Sequence, residues 1–225
     1  MQKNPSTVTI YGRLSFPLFT HAEAVAANSS APKTFRVDDP TKVKASFNLL
    51  LEDAQLDKLV THIKDVFLPW VLAEHGKGND RYKDFDQKAI NKILKVVDSD
   101  WEDQPPFILI KPISEKTLEL MPEAVASVKL TGQPGQDIIL KAIVNDESEL
   151  AVNDGETVVF PVIKPLNQTT HMMYPGAYVA ATINLYVYSG VTPGLSGGAN
   201  TAVFKADADR FGGGVDVDAD EMFLD

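Results

Sequence analysis

The chain has 225 residues, 44% of them hydrophobic, no cysteine and a formal net charge of −10 at pH 7. That length and apolar content suffice for one sizeable core, so one main domain is expected. The missing cysteines exclude disulfides, thiolate metal centres and zinc knuckles, and the charge argues against a uniformly basic nucleic-acid binder, because phosphate affinity comes from Lys and Arg that displace counterions.

Charge is unevenly spread. Five of the 31 acids, Asp216, Asp218, Asp220, Glu221 and Asp225, follow Arg210, the last basic residue. The body remains acidic without them, so any DNA site must be a local basic groove. No apolar run reaches the roughly 18 residues of a membrane helix. The opening residues also lack the apolar core of a secretory signal, so a soluble protein inside the cell with no membrane partner is expected.

In chain order, Thr7 to Phe16 alternates with period 2: Val8, Ile10, Leu14 and Phe16 on one side, Thr7, Thr9, Tyr11 and Arg13 on the other. Gly12 interrupts the apolar row and suggests a bend or bulge. His21 to Pro40, rich in Ala, Ser, Asn and Pro, reads as a surface loop. Val43 to Leu51 is a second strand, with Lys44, Ser46 and Asn48 facing away from its apolar row. A helical insertion follows at about 53–98. Leu56, Leu59, Val60, Ile63, Phe67 and Trp70 recur at helical spacing between a cap at Asp53 and a stop at Gly76, and Ile90, Ile93, Leu94 and Val97 recur behind a cap at Asp86. Both stripes read as core packing.

From Phe107 the pattern is strands: Phe107 to Ile113, Val125 to Leu130, Ile138 to Val144, Thr157 to Ile163, Ala177 to Tyr188 and Asn200 to Ala206, with turn chemistry at Gln133-Pro134-Gly135 and Asn153-Asp154-Gly155. Strands at both ends with helices between them predict a mainly β, α+β architecture or a β-barrel decorated by inserted helices.

The 177–188 strand carries the functional signal. Ala177, Val179, Ala181, Ile183, Leu185 and Val187 form one apolar row, so Tyr178, Ala180, Thr182, Asn184, Tyr186 and Tyr188 look the other way. Three tyrosines among small and polar residues suit base stacking, which tolerates any sequence because every base has a π-face. Tyr11, Arg13 and Lys44 also point away from their apolar rows and offer an aromatic and cations for the same face. The competing reading is a second packing layer or an oligomer contact.

After Phe211, three consecutive glycines lead into an acidic segment containing Phe223. Such a segment is expected to be a flexible tail over 212–225, following a body of 1–211. Its acids can compete with phosphate for a groove, and Phe223 can anchor it to a partner; the competing reading is a solubilising end with no partner.

Other constellations fail. Asp216, Asp218 and Asp220 imitate a calcium loop without its glycine or its final glutamate. Gly194-Leu195-Ser196-Gly197-Gly198 matches a nucleophile-elbow pattern out of context, with Pro193 before it and a strand after, and reads as a glycine-rich hairpin loop. His21, His62, His75 and His171 lack metal-ligand spacing. No cofactor, metal or catalysis is expected.

The C-terminal quarter, with Tyr174-Pro175-Gly176 leading into Ala177-Tyr178-Val179, then Asn184-Leu185-Tyr186-Val187-Tyr188, a glycine-rich loop, Asn200 to Lys205, and Asp209-Arg210-Phe211-Gly212-Gly213, resembles the single-stranded DNA-binding proteins of tailed bacteriophages. The resemblance covers about the last 50 residues, with the opening strand and loop similar in organisation. It implies an OB-fold with helical decoration and an acidic tail, coating unpaired strands in phage replication, recombination or repair in the host cytoplasm. It also implies that the tail contacts replication proteins such as the polymerase or helicase-primase. Tyr178, Tyr186, Tyr188, Arg210 and the tail acids carry over as candidate positions. The alternative is a phage structural or assembly protein whose tyrosine strand joins copies of the chain as a homo-oligomer.

Overall fold

The computed structural model describes residues 4–98, 109–153, 156–166, 172–189 and 193–211. Its elements are β1 (Thr7–Leu18), α1 (His21–Ser30), β2 (Lys44–Leu51), α2 (Asp53–His62), α3 (Leu68–Gly76), α4 (Gln87–Asp98), β3 (Ile110–Lys111), α5 (Glu115–Leu120), β4 (Ala126–Pro134), β5 (Ile139–Asn153), β6 (Glu156–Pro165), β7 (Tyr178–Tyr188), β8 (Gly194–Gly198) and β9 (Thr201–Ala206). A π-helical turn, Ile63–Phe67, joins α2 to α3. Among the described residues no helix is long and apolar enough to cross a membrane.

Among the described residues the strands form one nine-stranded sheet in the order β1-β2-β4-β8-β7-β9-β5-β6, with β3 on β4 and a further pairing of β1 with β7. The last pairing curls β1, β2, β4, β8 and β7 toward a ring. The ring is not a closed barrel, which corrects the simplest expectation: β4 and β8 meet at a single parallel pair, Thr131 with Gly198. β8 is only five residues long, and its last residue is the one that reaches β4. The result is a mixed, sheet-rich α/β fold.

Burial follows the alternation from Val8 to Tyr11 of β1 and along β7 as far as Leu185, but not at the far end of β1, where Phe16 of the predicted apolar row is 76% exposed and Arg13 and Ser15 are buried. Ile10 lies opposite Ala181, Ala181 opposite Ala202, and Ala202 opposite Leu140, and all four are buried. This row across β1, β7, β9 and β5 joins Phe47, Leu49 and Leu51 of β2 and Val128 and Leu130 of β4 in one core. Leu59 of α2, Ile63 and Phe67 of the π turn, and Ile90 and Ile93 of α4 complete it. The helical stripes are core packing, as their spacing predicts, and Asp86 caps α4 by accepting from the Ala89 N–H at 2.8 Å. Asp53 is the first residue of α2 rather than its cap, which is Glu52.

Four local expectations change. The predicted loop after His21 begins with α1, because Thr20 and Glu23 form a reciprocal capping box before an alanine-rich run. Gly12 does not bulge. The irregularity of β1 falls between Ser15 and Leu18, and Gly12 instead gives the Leu50 carbonyl room that a Cβ would occupy. The predicted strand at Phe107 to Ile113 is, within the described residues, only Ile110–Lys111, followed by the unanticipated α5. The predicted glycine loop at Gly194–Gly198 is a strand, antiparallel to β7.

Candidate nucleic-acid interface

The face of β7 turned from the core meets β1 residue by residue: Tyr178 opposite Arg13, Ala180 opposite Tyr11, Thr182 opposite Thr9 and Asn184 opposite Thr7. Directly paired residues project to the same side of a sheet. At the centre of this face Thr9, Tyr11, Thr182 and Asn184 are exposed, Tyr11 at 46%. The Thr9 and Thr182 hydroxyls are bonded across the strands at 2.8 Å. Gln55 of α2 steadies the edge by accepting from the Tyr11 N–H at 3.1 Å. One row continues from Tyr11 through Ala180 and Val203 to Lys141 of β5, three strand spacings or about 14 Å away. Exposed Lys205 of β9 is a second cation on this part of the molecule.

The three tyrosines predicted as one platform are divided. Tyr178 and Tyr186 are eight residues apart on one strand, about 26 Å. Tyr178 belongs to a clamp at the start of β7. Arg13, 6% exposed, donates through Nε to the Gly176 carbonyl and through Nη2 to the Asp209 carbonyl, the latter at 2.6 Å. Its guanidinium lies 5.2 Å from the Tyr178 ring centroid and 4.7 Å from that of Phe211. The Tyr178 hydroxyl donates to Glu52 at 3.2 Å. Arg210 lies 4.3 Å from the Tyr174 ring centroid, and the Tyr174 hydroxyl accepts from the Ala208 N–H at 2.9 Å. Gly176 is required here: its φ is +108°, and a Cβ would collide with the Asp209 carbonyl. The clamp straps residues 207–211 across the end of β1 and β7.

Tyr186 and Tyr188 lie at the other end, opposite Ser196 and Gly194 of β8. The Tyr188 ring lies over Gly194, where a Cβ would collide with it. Burial, and then the neighbouring Tyr186, raise the Tyr188 phenol above its ordinary value. Tyr186 lines a cleft of about 430 Å³ together with Trp70, Arg81, Gln133, Asn184 and Asn200 among others. Lys44, exposed at the start of β2, pairs with Pro134, the residue after Gln133.

The structure therefore groups Arg13, Tyr178 and Arg210 at the clamp, places Tyr186 in the cleft with Tyr188 beyond it against β8 and Lys44 apart from both at the start of β2, and leaves Tyr11 on the open face. Asp216, Asp218, Asp220, Glu221 and Phe223 lie outside the described residues, as does His171. The sequence did not single out Arg81 and Trp70 of the cleft wall or Lys141 in the row of Tyr11. Strand alternation could have found Lys141. Trp70 is hidden within a helical apolar stripe, and nothing local distinguishes Arg81 from other surface cations.

No family model and no curated protein matches the chain. Among solved structures it is similar to the single-stranded DNA-binding protein from bacteriophage Enc34, at 12% identity and a TM-score of 0.47, covering 97% of this chain and 90% of that one. The same protein in complex with single-stranded DNA gives 12% identity and a TM-score of 0.47, covering 92% and 90%. A further similar structure is gp2.5, a single-stranded DNA-binding protein encoded by bacteriophage T7, at 10% identity and a TM-score of 0.39, covering 93% and 96%. All three are structures of single-stranded DNA-binding proteins of bacteriophages.

Proposed function

We propose that this chain binds single-stranded DNA without sequence preference through an OB-like fold, and sheathes unpaired strands during phage DNA replication, recombination or repair. It acts by binding rather than by catalysis. The observation that carries this reading is the outward face of β1 and β7, where exposed Tyr11 and the hydroxyls of Thr9 and Thr182 lie between Tyr186 at one end and Lys141 in the same row as Tyr11. Aromatic rings beside cations hold unpaired bases by stacking and by phosphate attraction, independently of sequence. Tyr11, Tyr186, Tyr188 and Lys44 are the candidate contacts. Arg13 and Tyr178 act indirectly, by fixing the chain around Arg210. The acidic segment 212–225 competes with DNA for the cations of this face and engages replication proteins through Phe223.

Fluorescence anisotropy with a labelled oligonucleotide, a duplex competitor and a salt series tests the reading. Preference for the single strand, equal affinity for unrelated sequences and a steep loss of affinity with salt are expected. Absence of binding, or equal affinity for the duplex, refutes it.

A further inference from the structure

The cleft beside Tyr186 differs from the open face in being walled on several sides, by β7, by the Gln133 turn and by the loop after α3. In a protein of net charge −10, no carboxylate among the described residues lines it, whereas Arg81 does. Among the described residues Arg81 has no carboxylate partner. The backbone around it is fixed: Asn79 accepts from the Arg81 N–H at 3.1 Å and donates to Glu74 at 3.1 Å, and the His75 ring bonds the Tyr82 carbonyl at 3.0 Å. The guanidinium lies 5.6 Å from the Tyr82 ring centroid, and Tyr82 in turn packs edge-on with Trp70, centroids 5.4 Å apart at 72°.

Gln133, Asn184 and Asn200 present side-chain amides that make no hydrogen bond among the described residues. An amide carries both donors and acceptors, and so matches the mixed edge of any base. Two aromatic walls, free amides, a cation without a carboxylate partner among the described residues and a volume of about 430 Å³ fit a small, flat, polar ligand bearing one anionic group.

Resting on the single-strand reading, we propose that this cleft is a nucleotide subsite. One unpaired base enters between Tyr186 and Trp70, its edge meets the amides, and its phosphate meets Arg81. The rest of the strand runs onward over Thr182 and Tyr11. The cleft thereby anchors the strand, while the open face tolerates sliding.

The test uses the full chain with Trp101→Phe, which leaves Trp70 as the only tryptophan of the two present. An oligo-dT and free thymidine monophosphate are titrated separately, with Trp70 emission as one readout and oligonucleotide anisotropy as the other. Arg81→Ala, at an exposed position, is compared in the same way. The expected result is quenching of Trp70 by the oligonucleotide and at least about fivefold weaker binding by Arg81→Ala. An oligonucleotide that binds without quenching Trp70, or that binds Arg81→Ala equally well, overturns the subsite and leaves the single-strand reading standing. Quenching by the free nucleotide alone, weakened by Arg81→Ala, supports the subsite and overturns the single-strand reading. No response to either ligand overturns both.

Discussion

Replacing Arg13 with leucine separates a structural arginine from a DNA-contacting one. The side chain is 6% exposed, donates to two carbonyls 33 residues apart in the chain, and lies against two aromatic rings. A hydrogen bond from a charged group contributes about 1.5–3 kcal/mol and a cation–π contact about 0.5–1 kcal/mol. Leucine restores part of the apolar contact but leaves the Gly176 and Asp209 carbonyls without this donor, so a net loss of about 3–5 kcal/mol is expected. At roughly 2–4 °C per kcal/mol for a chain of this size, Tm falls by about 10 °C. Urea unfolding followed by circular dichroism measures the loss, and anisotropy below the transition measures affinity for a single strand. Reduced stability with affinity within about twofold of the parent supports the clamp. Unchanged stability with affinity lowered more than about fivefold refutes it and returns Arg13 to the DNA face.

Tyr11→Ala should lower single-strand affinity by about 1–3 kcal/mol with little change in the unfolding midpoint, since the ring is 46% exposed; unaltered binding removes Tyr11 from the interface. Gly194→Ala should displace the Tyr188 ring and bring its phenol back toward the ordinary value, visible in ultraviolet titration; an unchanged titration contradicts the packing over Gly194. The Tyr188 phenol is raised from 10.0 by burial and then by Tyr186. The stability tied to its neutral form is therefore complete below that pH and disappears as pH rises through the folded value. Tyr188→Phe should accordingly make stability less dependent on pH above 10.0, and an identical alkaline profile would count against the assignment. Deleting residues 215–225 should raise single-strand affinity at low salt and change it little at high salt, where screening weakens the competing acids; equal affinity at low salt removes the competition.

Where a local rule and the tertiary fold agree, the residues were legible in advance. The alternation of 177–188 predicts which side of β7 is buried, and Val179, Ala181, Ile183 and Leu185 are indeed buried. The stripe from Leu56 to Trp70 predicts helices, and Asp86 predicts a helix start. The capping box of Thr20 and Glu23 was equally present in the sequence, but the Pro- and Ser-rich surroundings favoured a loop. Gly194–Gly198 was not legible. Its glycines suggest a turn by intrinsic preference, and the strand comes from its antiparallel pairing with β7 from Tyr188 to Asn184, where the Tyr188 ring lies over Gly194.

The sequence alone determined facing: period-2 alternation assigns Tyr11, Tyr178, Tyr186 and Tyr188 to the side away from the apolar rows, because successive side chains of a strand project oppositely. It could not determine company. Arg13 and Asp209, or Tyr186, Trp70 and Arg81, become neighbours only when strands distant in the chain pair in a particular register. Register across β1, β7 and β9 is chosen by how the whole core packs rather than by any one segment, so the division of the tyrosines between a clamp and a cleft arises only in the assembled sheet.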